Sequence, residues 1–276
     1  MLLNPIEGEI FYIDKPLGLT SFSVVKQLRA CLRRKLKTRS IKVGHAGTLD
    51  PLASGVLVVV TGRKTKLIET LQGGVKEYVA GLRLGATTPS FDMETQEDAT
   101  MPWEHITDER IREVLASRFT GKIEQVPPSF SACKVDGKPA YKLARRGEDV
   151  AIRPKTLVID EIELVDSKLP QQPDITIRVL CSKGTYIRAL ARDIGTALES
   201  GAYLTSLRRT RVGDVRVKDC LSLSQVLDML SDADYVSAED AEAARLERER
   251  EENRARQAAM TSRREARARA RESQVK

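Results

Sequence analysis

The stretch Gly44-His45-Ala46-Gly47-Thr48-Leu49-Asp50-Pro51-Leu52-Ala53-Ser54-Gly55-Val56-Leu57 sets one of the chain's two histidines and a carboxylate among three glycines. Glycine lets the backbone turn, or approach a ligand, where a side chain would block it. A loop of this composition can hold His45 and Asp50 out toward a bound molecule. A carboxylate so placed suits nucleophilic attack or proton abstraction. A plainer reading competes with it. Asp caps free amides and Pro fits the first helical position, so Asp50-Pro51 also reads as a helix start, with His45 as a turn residue.

The remaining composition excludes several other chemistries. The cysteines Cys31, Cys133, Cys181 and Cys220 form no C-x-x-C pair, and with so few histidines they give no zinc pattern. They read as reduced, partly buried thiols of a cytoplasmic protein. No G-x-x-x-x-G-K-[ST] run marks a nucleoside triphosphate site, and no cofactor motif is present. No apolar run is long enough to cross a bilayer, and Met1 to Glu7 does not read as a secretory signal. No seam for self-association stands out, which predicts a monomer.

The elements that must carry the loop follow from periodicity. Glu9 to Asp14 reads as a strand, Lys15-Pro16-Leu17-Gly18 as a turn, and Thr20 or Ser21 as the cap of a helix with Val24, Val25, Leu28, Cys31, Leu32 and Leu36 on one face. Val56 to Val60 and Lys76 to Leu84 read as strands, and Thr87 to Gln96 as a polar loop. Thr107 to Phe119 reads as a helix capped by Thr107. Gly121 to Gly147 reads as a loop with short extended pieces and a short helix from Tyr141. Thr156 to Val165 and Asp174 to Cys181 alternate as strands do. Thr185 is placed to cap a helix reaching about Leu198. Strands interspersed with helices predict an α+β fold around a mixed or antiparallel sheet.

Charge is unevenly spread. The formal net charge is +7, yet Arg254 to Lys276 alone holds eight Lys or Arg against two Glu. Nucleic-acid binding by the folded part must therefore rest on local patches. Lys26, Arg29, Arg33, Arg34, Lys35, Lys37, Arg39 and Lys42 run without an acidic residue into the Gly44 loop and read as a phosphate track. Arg208, Arg209, Arg211, Arg216 and Lys218 read as a second basic patch. Glu239 to Arg271 is Ala, Glu and Arg with almost no large apolar residue. It is either a solvent-exposed helix or disordered, and it cannot build a core.

The Gly44–Leu57 string resembles the signature GHxGTLDPxAxGxL of the TruB family of pseudouridine synthases. Three more segments resemble that family in the same order: Asp14 to Ser21, Gln125 to Arg145, and Cys181-Ser182-Lys183-Gly184-Thr185-Tyr186-Ile187-Arg188. The resemblance spans about residues 9 to 215. It implies a pseudouridine synthase fold, a bacterial source, and isomerisation of a uridine in the T-loop of tRNA without metal or cofactor. It implies a catalytic domain over residues 1–236, with a thumb-like RNA-binding segment at about 121–150 carrying Lys134, Lys138, Lys142, Arg145 and Arg146, and a charged tail over 237–276. Many members carry a β-rich PUA domain at that end, and the tail has no such composition. A Thr88, Ser90, Asp92 stretch also resembles the family, with Thr95 where glycine is expected.

Roles for single residues follow from the same resemblance. Asp50 corresponds to the catalytic carboxylate, as nucleophile or as base. Tyr78 corresponds to a tyrosine that stacks on the flipped uracil. Arg188 corresponds to the arginine that pairs with the catalytic Asp. Tyr186 is a second pocket residue and Leu207 an apolar wall. His45 fills the space that the flipped base leaves, and Lys15 and Pro16 shape the pocket floor. Two other readings stay open: a pseudouridine synthase for another RNA, and a tRNA-binding folding chaperone with secondary catalysis.

Overall fold

The computed structural model describes residues 2–131, 133–135, 137–140, 143, 146 and 152–273. The helix expected from Tyr141 and the thumb cations Lys142 and Arg145 lie outside those residues. In chain order the main elements are β1 (Ile10–Lys15), α1 (Ser21–Lys35), β2 (Val43–Ala46), β3 (Ala53–Thr61), β4 (Lys76–Leu84), α2 (Asp108–Arg118), β5 (Gly121–Gln125), β6 (Lys155–Ser167), β7 (Asp174–Cys181), α3 (Ile187–Ala197), β8 (Ala202–Val212), β9 (Val215–Arg216), β10 (Leu221–Ser222), α4 (Leu223–Asp232) and α5 (Ala238–Ser273).

The ten strands form one mixed sheet, in the order β10-β1-β3-β8-β4-β7-β6-β5, with β2 on β3 and β9 on β8. The pairs β8–β3 and β10–β1 are parallel, and the others are antiparallel. This is the α+β, mixed-sheet architecture the sequence predicts.

Local chemistry explains the edges of the elements. Thr20 caps α1 by accepting from the Ser23 amide, and Thr107 caps α2 by accepting from Arg110. β3 is apolar from Val56 to Val60 because both its faces are covered there. Leu57 and Val59 pack with α1 and α4, whereas Val56, Val58 and Val60 pack with Ala46 and Val212. A larger core joins β4, β6, β7 and β8 to α2 and α3, and it includes Leu49, Ala53 and Tyr78.

Three expectations change. Thr185 does not cap α3: its hydroxyl donates to the Ser182 carbonyl, and Tyr186 takes the cap position without a side-chain bond. Asp50-Pro51 opens a tight turn, not a helix, because Ala53, whose N–H closes it on the Asp50 carbonyl, already begins β3. The second basic patch is only partly a surface feature: Arg216 and Lys218 are exposed, but the other three arginines are engaged by the protein. Arg209 is buried, Arg208 pairs with Asp14, and Arg211 donates to the Gly213 carbonyl.

The tail is helical as α5, which starts against the body at buried Ala241 and is held by Arg248 beside Glu7. From residue 253 to 263 it is exposed throughout. Among the described residues no helix is long and apolar enough to cross a membrane. All four cysteines are free, and Cys31 and Cys181 are buried.

Candidate active site

Asp50 stands on a loop pinned from both sides. Gly47 turns the chain after β2 with φ +96°. The Leu49 side chain then plugs the core, and its amide and carbonyl both bond the Ser21 hydroxyl at the start of α1, at 2.8 and 2.9 Å. The Gly18 amide donates to the Pro51 carbonyl at 2.8 Å. These bonds leave the Asp50 backbone little freedom while its side chain stays 42% exposed.

Arg188, the second residue of α3, meets Asp50 from within. Its Nε lies 3.0 Å from Asp50 Oδ2 and 3.6 Å from Asp92 Oδ2. Its other nitrogens donate to the carbonyls of Ser90 at 3.1 Å and Phe130 at 2.8 Å. A planar guanidinium held at four points can aim a carboxylate in a way that a lone ammonium cannot. The start of α3 is itself clamped. Buried Gln125 accepts from the Tyr186 amide at 2.9 Å and donates to the Tyr186 carbonyl at 3.2 Å.

The Thr88–Thr95 stretch is an anchor for that guanidinium. Thr88 and Ser90 donate to the Asp92 carbonyl, and the Thr95 hydroxyl accepts from the Ser90 amide at 3.1 Å. The stitched turn aims both the Ser90 carbonyl and the Asp92 carboxylate at Arg188. Thr95, where the resemblance leads one to expect glycine, supplies one of the hydroxyls. Sequence reading noted the stretch without a function for it. It overlooked Gln125 and took Arg209 for a surface cation.

The pair opens onto a cleft of about 780 Å³ whose walls include Leu17, Leu52, Asp92, Met93 and Leu207. That volume is in the range of small-ligand sites. Leu207 lies opposite Ala53 across β8–β3 and opposite Ala80 across β8–β4.

The other candidates lie around this centre. Tyr78 is buried behind the loop with Leu49 and Ala53. Burial holds its phenol above the ordinary range, against the opposing charge of Arg209. Tyr186 is half-buried at the start of α3. His45 is half-buried on β2 opposite Val59, and its Nδ1 has no hydrogen-bond partner. Burial, with Arg209 adding to it, pushes the imidazole below its usual value.

Lys15 is fully buried, with Nζ donating to the carbonyls of Pro16 at 3.0 Å and Leu19 at 2.6 Å. Burial lowers its pKa to about 8, and the Asp50 charge opposes that shift. Lys15 thus braces the turn that faces Asp50, while the Pro16 ring is exposed. Among the described residues no group of three or more His, Cys, Asp or Glu is placed to hold a metal ion.

Comparison with known proteins adds to this geometry. Residues 33–187 match the profile of the TruB family pseudouridylate synthase N-terminal domain. Residues 188–248 match the tRNA pseudouridylate synthase B C-terminal domain. The chain is 63% identical over 228 residues to the tRNA pseudouridine synthase B of Phocaeicola vulgatus, covering 83% of this chain and 95% of the relative. It is 48% identical over 220 residues to that of Flavobacterium johnsoniae, covering 79% and 94%. Among solved structures it resembles a chain in a Cbf5-Nop10-Gar1 complex, with a TM-score of 0.60 and 30% identity over 82% of this chain, which spans 55% of that one.

Proposed function

The chain belongs to the TruB family of pseudouridylate synthases and isomerises uridine to pseudouridine in tRNA; we propose that its target lies in the T-loop and that Asp50 acts on it. The observation that carries this reading is the Asp50–Arg188 pair at the mouth of the cleft. The reaction breaks the N-glycosidic bond, turns the base, and rejoins it to the sugar through carbon. No electrons are gained or lost overall.

A base stacked inside an RNA loop must first leave the stack, at an unstacking cost of a few kcal/mol. The cleft receives it. The Asp50 carboxylate then either attacks the sugar or removes a proton, and both roles require it ionised and aimed. Arg188 pairs with the carboxylate at 3.0 Å and fixes its direction. Leu207 packs against the flipped base from the β8 side. Tyr78, its proton held by burial, offers a neutral phenol behind the loop. Tyr186 completes the pocket at the start of α3. His45, held neutral, occupies the space the base vacates and takes no proton itself.

The RNA approaches over the exposed cations Lys26, Arg33, Arg34, Lys35, Lys37, Arg39 and Lys42, which attract phosphate irrespective of sequence. Arg29 is not part of that track, because its guanidinium donates to the Val43 carbonyl at 2.7 Å. We place the enzyme in the cytoplasm, acting as a monomer without cofactor.

The test is conversion of an isolated T-arm stem-loop by the purified protein, scored as pseudouridine beside Asp50→Ala. Conversion by the wild type alone supports substrate arm and residue together. Conversion of whole tRNA but not of the stem-loop removes the T-arm as a sufficient substrate. Failure on both removes the reading in favour of another RNA or of tRNA refolding.

A further inference from the structure

Arg209 is 2% exposed, one of the two largest fully buried side chains, and among the described residues no carboxylate pairs with it. Its Nε donates to the Val56 carbonyl at 2.8 Å. One terminal nitrogen donates to Gly47 at 3.0 Å and the other to Thr48 at 3.4 Å. A buried cation without a counter-charge is tolerated only where its N–H groups find acceptors. Here the acceptors are main-chain carbonyls of the loop that ends in Asp50 and of the strand that follows it.

The backbone is closely fitted around this residue. Arg209 lies opposite Gly55 on β3 and opposite Tyr78 on β4. A Cβ at Gly55 would sit 2.1 Å from the Arg209 carbonyl oxygen, and one at Gly47 would sit 3.5 Å from its guanidinium. Both glycines have positive φ, +106° and +96°. Gly55 thus leaves room for the Arg209 main chain, and Gly47 lies in ordinary contact with its guanidinium. Its charge also reaches the neighbouring groups. Burial first, and Arg209 second, disfavour a protonated His45, and Arg209 also acts against the Lys15 ammonium.

From this arrangement we infer that Arg209 is a positioning residue for the reaction, a strut that fixes the Gly47–Thr48 backbone and so sets Asp50 against Arg188. The inference rests on the reading of Asp50 given above. It separates two arginines by task. Arg188 aims the carboxylate side chain, and Arg209 holds the main chain that carries it. Lysine cannot take its place, because one ammonium cannot present a fork to acceptors on both β3 and the loop.

The experiment compares wild type with Arg209→Lys and Arg209→Met on the stem-loop, using single-turnover rates, RNA affinity, thermal unfolding and amide exchange. Arg209→Lys is expected to fold and to bind RNA within about two-fold of wild type. Exchange should quicken over residues 44–52 but not in α1 or β4. Its single-turnover rate should fall about 100-fold, the scale of an ångström of misplacement at a reacting group. Wild-type rate and exchange in Arg209→Lys would overturn the inference, since charge alone would then suffice. So would a loss that merely tracks the unfolded fraction of Arg209→Met. If the wild type makes no pseudouridine, the functional reading fails, yet the exchange at 44–52 still tests the strut.

Discussion

The Asp50 carboxylate and the Arg188 guanidinium meet at 3.0 Å, with the arginine side chain 6% exposed and the aspartate 42% exposed. The cation is sunk in the protein and the anion faces solvent. The two partners therefore differ in what their removal does. Arg188 also satisfies the Asp92 carboxylate, 8% exposed, and two carbonyls. Arg188→Met leaves a buried carboxylate unpaired and is expected to cost about 3–5 kcal/mol of stability as well as activity. Asp50→Ala is expected to abolish turnover at a cost of under about 1 kcal/mol. Urea unfolding of the two variants checks the contrast, and equal losses would refute it.

Gly55→Ala strikes β3 where it passes the Arg209 carbonyl. The position combines φ +106° with a 2.1 Å approach to backbone that cannot yield as a side chain would. A loss of about 3 kcal/mol or more is expected from strain and clash together. Gly121→Ala, at φ +86° with open space around the Cβ, should lose only the conformational part, about 1 kcal/mol. Denaturation midpoints of the pair test the difference.

Lys15 makes stability depend on pH in a predictable direction. Its folded pKa of about 8 lies below the ordinary 10.5, so between those values the unfolded chain holds more protons. Stability from this group therefore rises with pH across that window, as the burial penalty on the ammonium is relieved. Tyr78 and Cys181, both raised, work the other way at high pH. Comparing wild type with Lys15→Met isolates the lysine. The wild type should gain on the variant between pH 8 and 10, and a flat difference would count against the lowered pKa.

His45→Ala is expected to weaken RNA capture more than chemistry. The imidazole is held neutral by burial, has no carboxylate partner among the described residues, and leaves Nδ1 unpaired. Substrate affinity should fall several-fold, while the rate on bound RNA changes less. Loss of that rate as complete as in Asp50→Ala would assign His45 to catalysis.

Deleting residues from Arg254 onward removes eight basic and two acidic residues while leaving Ala241 and Arg248 at their contacts. Affinity for whole tRNA should drop and depend less steeply on salt, since fewer counterions are released. Saturated turnover of the stem-loop should not change. An unaltered salt slope would show that the exposed end of α5 does not touch RNA.

Much of this was readable in the sequence where one physical rule dominated. β4 and β7 alternate because each has one packed face, and their limits agree with the pattern to the residue. The glycine-framed loop declared itself by composition. Where two rules compete, sequence was silent or misleading. Arg208, Arg209 and Arg211 all read as surface cations, yet the pleat of β8 turns Arg209 inward, where main-chain carbonyls receive it. Asp92 sits in a loop and Gln125 at the end of β5, and both owe their importance to partners far along the chain, Arg188 and Tyr186. Nothing local to either residue announces such a pairing.

β8 is among the last strands made, yet it lies in the middle of the sheet, between β3 and β4. As the chain leaves the ribosome, β3 has no neighbour on that side, and Leu207 and Arg209 have not yet appeared. The two halves of the sheet can join only when this late strand threads between them, which is a costly long-range closure. Until about residue 212 has emerged there is neither a cleft nor a strut beneath Asp50. A nascent or truncated chain can therefore bear the whole glycine-framed signature and still be unable to take a base out of RNA.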